Sequence, residues 1–150
     1  MPRPAALVAL LALAACDASL ADDAPPDGPV AFATLDLPAS PVLVNGTTVV
    51  RSSGELERFA RRDDGGLAPL PDVDWDRQLV VGVFYGGSLH GGCSGEVEVI
   101  RSVRADGGAL VVDVGPLPDL GPCRAIVYPA QMAVVDARAP VVRFTGEVPR

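Results

Sequence analysis

Leu79-Val80-Val81-Gly82-Val83-Phe84-Tyr85 is a nearly continuous apolar run. A strand facing water on one side alternates apolar with polar residues, and this one does not, so it reads as a central strand covered on both faces. Upstream, Asp72, Asp74 and Asp76 alternate around Trp75; downstream lies the glycine-rich segment from Gly86 to Gly92. Further on, Val97–Val103 and Leu110–Val114 flank Asp106-Gly107-Gly108. That is a hairpin signal, because glycine accepts the positive φ of a tight turn. Leu110, Val112 and Val114 fall on one face of the second strand.

Shorter strand candidates are Arg124–Tyr128, Met132–Val135 and Val141–Phe144, with Pro129 and Pro140 interrupting them. Prolines of this kind favour edges or bulges. Before the central run, Val30–Leu37 reads as a first strand, Asn45-Gly46 as a turn and Thr47–Val50 as a strand. Ser52 and Glu55 have capping-box spacing for the one convincing helix of the mature chain. Leu56, Phe59 and Ala60 share its inner face, Glu57, Arg58, Arg61 and Arg62 face water, and Asp63–Gly66 ends it. The expected class is α+β, mostly β: one short helix packed on a largely antiparallel sheet, folded as a sandwich or partial barrel.

The N-terminus carries a different signal. Arg3 precedes an apolar run from Ala5 to Ala15, which ends in Leu13-Ala14-Ala15-Cys16. The run spans eleven residues, whereas a membrane-spanning helix needs about 20. A positive charge, a short apolar core and a small-residue exit fit an export signal. The small-small-Cys ending looks like a bacterial lipoprotein signal, with residues 1–15 removed and Cys16 lipidated. Ordinary cleavage after Ala12-Leu13-Ala14 is the competing reading, and it also means export. Two or more acyl chains hold a protein stably to a bilayer. The localisation expected is the bacterial cell envelope, lipid-anchored on its periplasmic or surface face.

Three cysteines are present, Cys16, Cys93 and Cys123. Lipid on Cys16 leaves an even pair in a compartment that permits disulfides. A Cys93–Cys123 bridge closes a loop worth roughly 3.5–4 kcal/mol by chain entropy. The alternative is two free buried thiols. Two Cys and one distant His make a poor zinc set, and no cofactor is implied.

Without residues 1–15 the chain has 135 residues, enough for one domain, and the loss of Arg3 takes its net charge from −7 to −8. Such an acidic chain repels nucleic acid and anionic headgroups. Every basic residue is Arg, which with abundant Ala, Gly, Pro and Val reads as the codon bias of a GC-rich bacterial genome. Residues 16–29 form the lipidated Cys and an acidic, proline-rich tether; from Asp17 to Pro29 it spans at most about 45 Å when extended. Residues 30–150 form the single β-rich domain.

Several residues together carry a family resemblance. They are Val49-Val50-Arg51-Ser52-Ser53 with Glu55-Leu56, then Pro71-Asp72-Val73-Asp74-Trp75, the run 79–85, Gly91-Gly92-Cys93-Ser94 and Val127-Tyr128-Pro129. Over roughly residues 47–136 this resembles the C-terminal domain family of the protease-complex accessory subunit PrcB. The resemblance implies an exported, often lipid-anchored, non-catalytic protein that binds another protein, in one case within a surface protease complex. Family members usually place an aromatic where Cys93 stands, and many lack a counterpart of Cys123; a bridge between the two accounts for both departures. The resemblance brings no catalytic residue with it.

Other candidate chemistry is thin. His90, the only histidine, sits on a glycine-rich loop. A Ser-His-Asp site with Ser88 or Ser94 is a geometric proposition that composition does not supply. No helix follows the loop, so it is no phosphate cradle. Loop 86–95, with Ser88, Leu89 and His90, is instead the candidate partner-facing segment. Asp72, Asp74 and Asp76 begin like a calcium loop, but Arg77 stands where glycine is needed and Val83 where glutamate is. They read as acids preceding a strand, with Trp75 packed inward and Asp74 accepting from local backbone N–H groups. Glu96 and Glu98 read as a solvated strand face. The expected partner is another envelope or secreted protein, which the resemblance implies to be a protease, with the membrane engaged through lipid and no nucleic acid. A protease inhibitor presenting loop 86–95 is the alternative, with a hydrolase around His90 behind it.

Overall fold

A computed structural model describes residues 24–36, 45–62, 64–86, 90–93, 95–123 and 125–150, with the backbone alone for His90. Strands β1 (Gly28–Val30), β2 (Phe32–Thr34) and β3 (Asn45–Val50) precede helix α1 (Ser53–Leu56). Then come β4 (Leu79–Tyr85), β5 (His90–Gly92), β6 (Ile100–Asp106), β7 (Ala109–Val114), β8 (Ala125–Val127), β9 (Ala130–Val135) and β10 (Val141–Gly146). One sheet has the order β1-β6-β7-β10, a second β2-β9-β4-β3, and β5 and β8 form a two-stranded ribbon. All pairings are antiparallel except β10 on β7.

The central strand is buried along its whole length. Its odd-numbered residues Leu79, Val81 and Val83 join Ala133 and Val135 of β9, Val103 and Ala105 of β6, and Leu110, Val112 and Val114 of β7 in the inter-sheet core. Its even residues Val80 and Phe84 join Val50, Leu56, Val73 and Met132 in a second core on the other face of the sheet. Phe59, Leu70 and Trp75 pack against that outer core. Each fully buried Val or Leu contributes about 1.5–3 kcal/mol, so a polar substitution on either face of β4 is costly. Gly82 makes room: a Cβ there would lie 2.8 Å from the Phe84 ring and 3.0 Å from Thr48 Cγ2. The Phe84 ring stacks on Phe59, with centroids 5.4 Å apart.

The helix begins at the expected cap, with the return bond of the box falling on Arg51 instead of Ser52. Ser52 Oγ accepts from the Glu55 N–H at 3.3 Å, and the Glu55 carboxylate accepts from the Arg51 N–H at 2.7 Å. Leu56 and Ala60 are fully buried and Phe59 half-buried. The expected helix to Arg62 is nonetheless a single turn. Arg61 bridges Leu67, and Arg62 and Gly66 are closed by a backbone bond of 2.8 Å, so the chain reverses there.

Three other expectations are corrected. The first strand is two strands broken at Ala31, because β1 pairs with β6 of one sheet and β2 with β9 of the other; Leu37 lies outside the described residues. Asn45 and Gly46 are not a turn but the start of β3, opposite Tyr85 and Phe84. Pairing with the central strand overrides their local preference. Regular pairing of β6 begins at Ile100, with a register shift before Ser102. Val97 and Val99 are buried all the same.

Gln131 explains that shift. It is the buried polar side chain of the described core, 3% exposed. Its Oε1 accepts from the Val99 and Ile100 N–H groups, both at 2.7 Å, and its Nε2 donates to Thr34 Oγ1 at 2.9 Å. One amide thus satisfies two backbone donors where the ladder is interrupted.

The seams between the sheets differ. On one side the continuous chain β1–β2 passes from sheet to sheet. On the other, Asn45 Nδ2 donates to the Arg150 carbonyl at 2.9 Å and Arg51 Nη2 to the Pro140 carbonyl at 3.1 Å. The result is a sandwich laced along one edge by side chains, and no closed barrel forms.

Candidate functional site

Strands β4 and β9 do not stop at the edge of the core. Tyr85 N–H donates to the carbonyl of buried Pro129 at 2.8 Å. Beyond that bond the two chains pair again as β5 and β8, His90 opposite Val127, Gly91 opposite Ile126 and Gly92 opposite Ala125. The ribbon is therefore an extension of the central strand pair.

Its tip is stapled. Cys93 and Cys123 form a disulfide with Cα atoms 4.8 Å apart, and both residues are exposed. The chain after β7 passes against this staple: Cys93 N–H donates to the Leu120 carbonyl at 2.7 Å. Glycines permit the approach. A Cβ on Gly92 would collide with the Leu120 side chain, and one on Gly121 would lie 2.9 Å from Cys93 Sγ. A Cβ on Gly95 would lie 3.1 Å from the Tyr128 carbonyl oxygen, and the Gly95 carbonyl accepts from the Ala130 N–H at 2.9 Å. Strand β8 exposes apolar side chains: Ile126 is 61% exposed, and its neighbour Ala125 is exposed too.

The partner-facing segment expected over residues 86–95 is thus partly a strand, because Gly91 and Gly92 admit close pairing with β8. Ser88, Leu89 and Ser94 lie outside the described residues, as does Cys16; the backbone of His90 belongs to β5. Ile126, the most exposed large apolar side chain described, is the site residue that the sequence reading missed. The signal available was the apolar triplet Ala125-Ile126-Val127, one residue past Cys123.

Other candidates resolve into structure. Asp74 Oδ1 accepts from the Asp76 N–H at 3.2 Å, and its carbonyl accepts from the Arg77 and Gln78 N–H groups at 3.0 and 2.7 Å. Gln78 Oε1 accepts from the Asp74 N–H at 3.0 Å. Asp74 organises the turn that launches β4, and Trp75 packs half-buried on the outer core. Glu96 and Glu98 are exposed. Among the described residues no group of three or more His, Cys, Asp or Glu side chains is placed to hold a metal ion, and no helix is long and apolar enough to cross a membrane. At the base of the ribbon, burial pushes the Tyr85 phenol above its ordinary pKa, and the charge of Glu147 adds to the shift.

No family model, curated protein or solved structure matches the chain. What the protein does must therefore be argued from its own residues: a two-sheet β scaffold bearing a disulfide-stapled ribbon whose strand β8 exposes apolar side chains.

Proposed function

We propose that this chain is an exported, lipid-anchored protein of the bacterial envelope that acts by binding another protein, in the manner of an accessory subunit that stabilises or assembles a secreted or surface protease complex. The carrying observation is the stapled ribbon. An oxidised cysteine pair fits a compartment outside the cytosol, and an exposed apolar strand on a rigid sheet is a form suited to recognition. The remaining cysteine, Cys16, is the one on which the export signal ends. The proposal includes no chemistry performed by the domain.

Two measurements test it. Palmitate labelling of the protein in its own host is expected to vanish in Cys16→Ser; labelling that persists refutes the anchor. Ile126→Asp, an exposed change expected to leave folding intact, should weaken co-purification with a defined partner. Unchanged recovery of that partner removes the ribbon from the interface.

The staple favours one variant of this reading, a protease inhibitor that presents the same arm. A disulfide-constrained loop loses little conformational entropy on docking. Inhibition of an envelope protease by the mature domain, abolished by reduction, is the outcome that selects the variant.

A further inference from the structure

The two ends of the sandwich are built differently. The chain enters at one of them. A Cβ on Gly108 would lie 3.9 Å from Ala24, Asp27 Oδ1 accepts from the Gly107 N–H at 2.8 Å, and Gly28 lies opposite Ala105. From that turn β1 and β2 run away along the molecule, Val30 opposite Val103, Phe32 opposite Val135 and Thr34 opposite Ala133. Gln131 joins β9 to Ile100, the residue of β6 farthest from the turn. Asn45, opposite Tyr85, meets Arg150 at that same far end. There β4 and β9 pass into the stapled ribbon through the bond between Tyr85 and Pro129. The entry turn and the ribbon are at opposite poles.

We infer that the domain is held to the bilayer by its Gly107–Gly108 pole and presents the Cys93–Cys123 ribbon, with Ile126, at the membrane-distal pole to a soluble or projecting protein. This rests on lipid anchoring at Cys16. Eight residue steps separate Cys16 from Ala24, a reach of at most about 30 Å when fully extended. Strand rises place the ribbon roughly 40 Å from the entry turn. An inverted domain, ribbon on the lipid and entry turn uppermost, needs more chain than the tether has. The net negative charge also keeps the domain off anionic headgroups. A partner lying flush with the bilayer does not reach the ribbon, whereas one that projects or diffuses freely does.

The test uses full-length lipidated protein in phosphatidylcholine vesicles that carry nitroxide-labelled headgroups. A fluorescent non-natural residue is placed at position 106 or at position 126, both exposed. Positions 104 and 125, also exposed, provide a second pair should either variant fold poorly. The probe at 106 is expected to lose most of its emission and the probe at 126 to keep nearly all of it. Equal loss at both, or greater loss at 126, overturns the orientation while the anchor stands. Protein that fails to float with the vesicles refutes the anchor and the orientation with it.

Discussion

Gln131 holds together three segments that are distant in sequence. Its amide accepts from Val99 and Ile100 and donates to Thr34. Gln131→Leu keeps the volume and leaves two buried N–H donors without a partner, each costing about 1–3 kcal/mol. The expected loss is about 2–5 kcal/mol in a denaturant melt; a change within experimental error would mean that the amide is dispensable. The sequence reading starts this strand at Met132, two residues too late, because a polar residue at an inward position looks like a strand end. Its partners lie 31, 32 and 97 residues away, beyond any local pattern. Tyr85 offers a second test. Its folded-state pKa is raised above the ordinary value of 10.0, so the folded state favours the neutral phenol. The stabilisation is fully present below that value and is lost as pH rises through the higher folded pKa. An alkaline ultraviolet titration should show a late phenolate phase that disappears in Tyr85→Phe. If Tyr85→Phe instead removed a phase in the ordinary phenol range, Tyr85 would be in contact with water.

Among the elements, legibility followed the reach of the signal. The central strand, the two-glycine hairpin and the cysteine pair each announce themselves within a short window or by counting, and all three stand in the fold. Gly107 and Gly108 have φ of 57° and 77°, as a two-residue turn between right-twisted strands requires. Gly107→Ala is expected to cost about 1 kcal/mol, read as a lower denaturation midpoint. An unchanged midpoint would show that the turn tolerates a side chain. The ribbon was read as a loop because β5 holds two glycines and gains its order only by pairing with β8, some 35 residues downstream. The break at Ala31 was invisible for a similar reason: two sheets claim adjacent triplets of one extended segment. Reduction of the Cys93–Cys123 staple releases loop-closure entropy of roughly 3.5–4 kcal/mol. For a domain of this size that lowers the melting temperature by about 10 °C. An unaltered melt would leave the bridge without a stabilising role.

At the scale of the molecule, one seam is a single chain crossing between sheets and the other is laced by Asn45 and Arg51. Both bonds of the laced seam are exposed. Exposed polar bonds of this kind contribute little, so Arg51→Ala is expected to change stability by less than about 1 kcal/mol; a larger loss would make the seam a principal support. The account as a whole depends on where the three sulfurs end up. Mass spectrometry of protein isolated from its own host, digested without reduction, measures this directly. The predicted result is an N-terminal peptide that begins at Cys16 and carries lipid, together with a peptide pair joined through Cys93 and Cys123. An intact leader, or free thiols at positions 93 and 123, would contradict it.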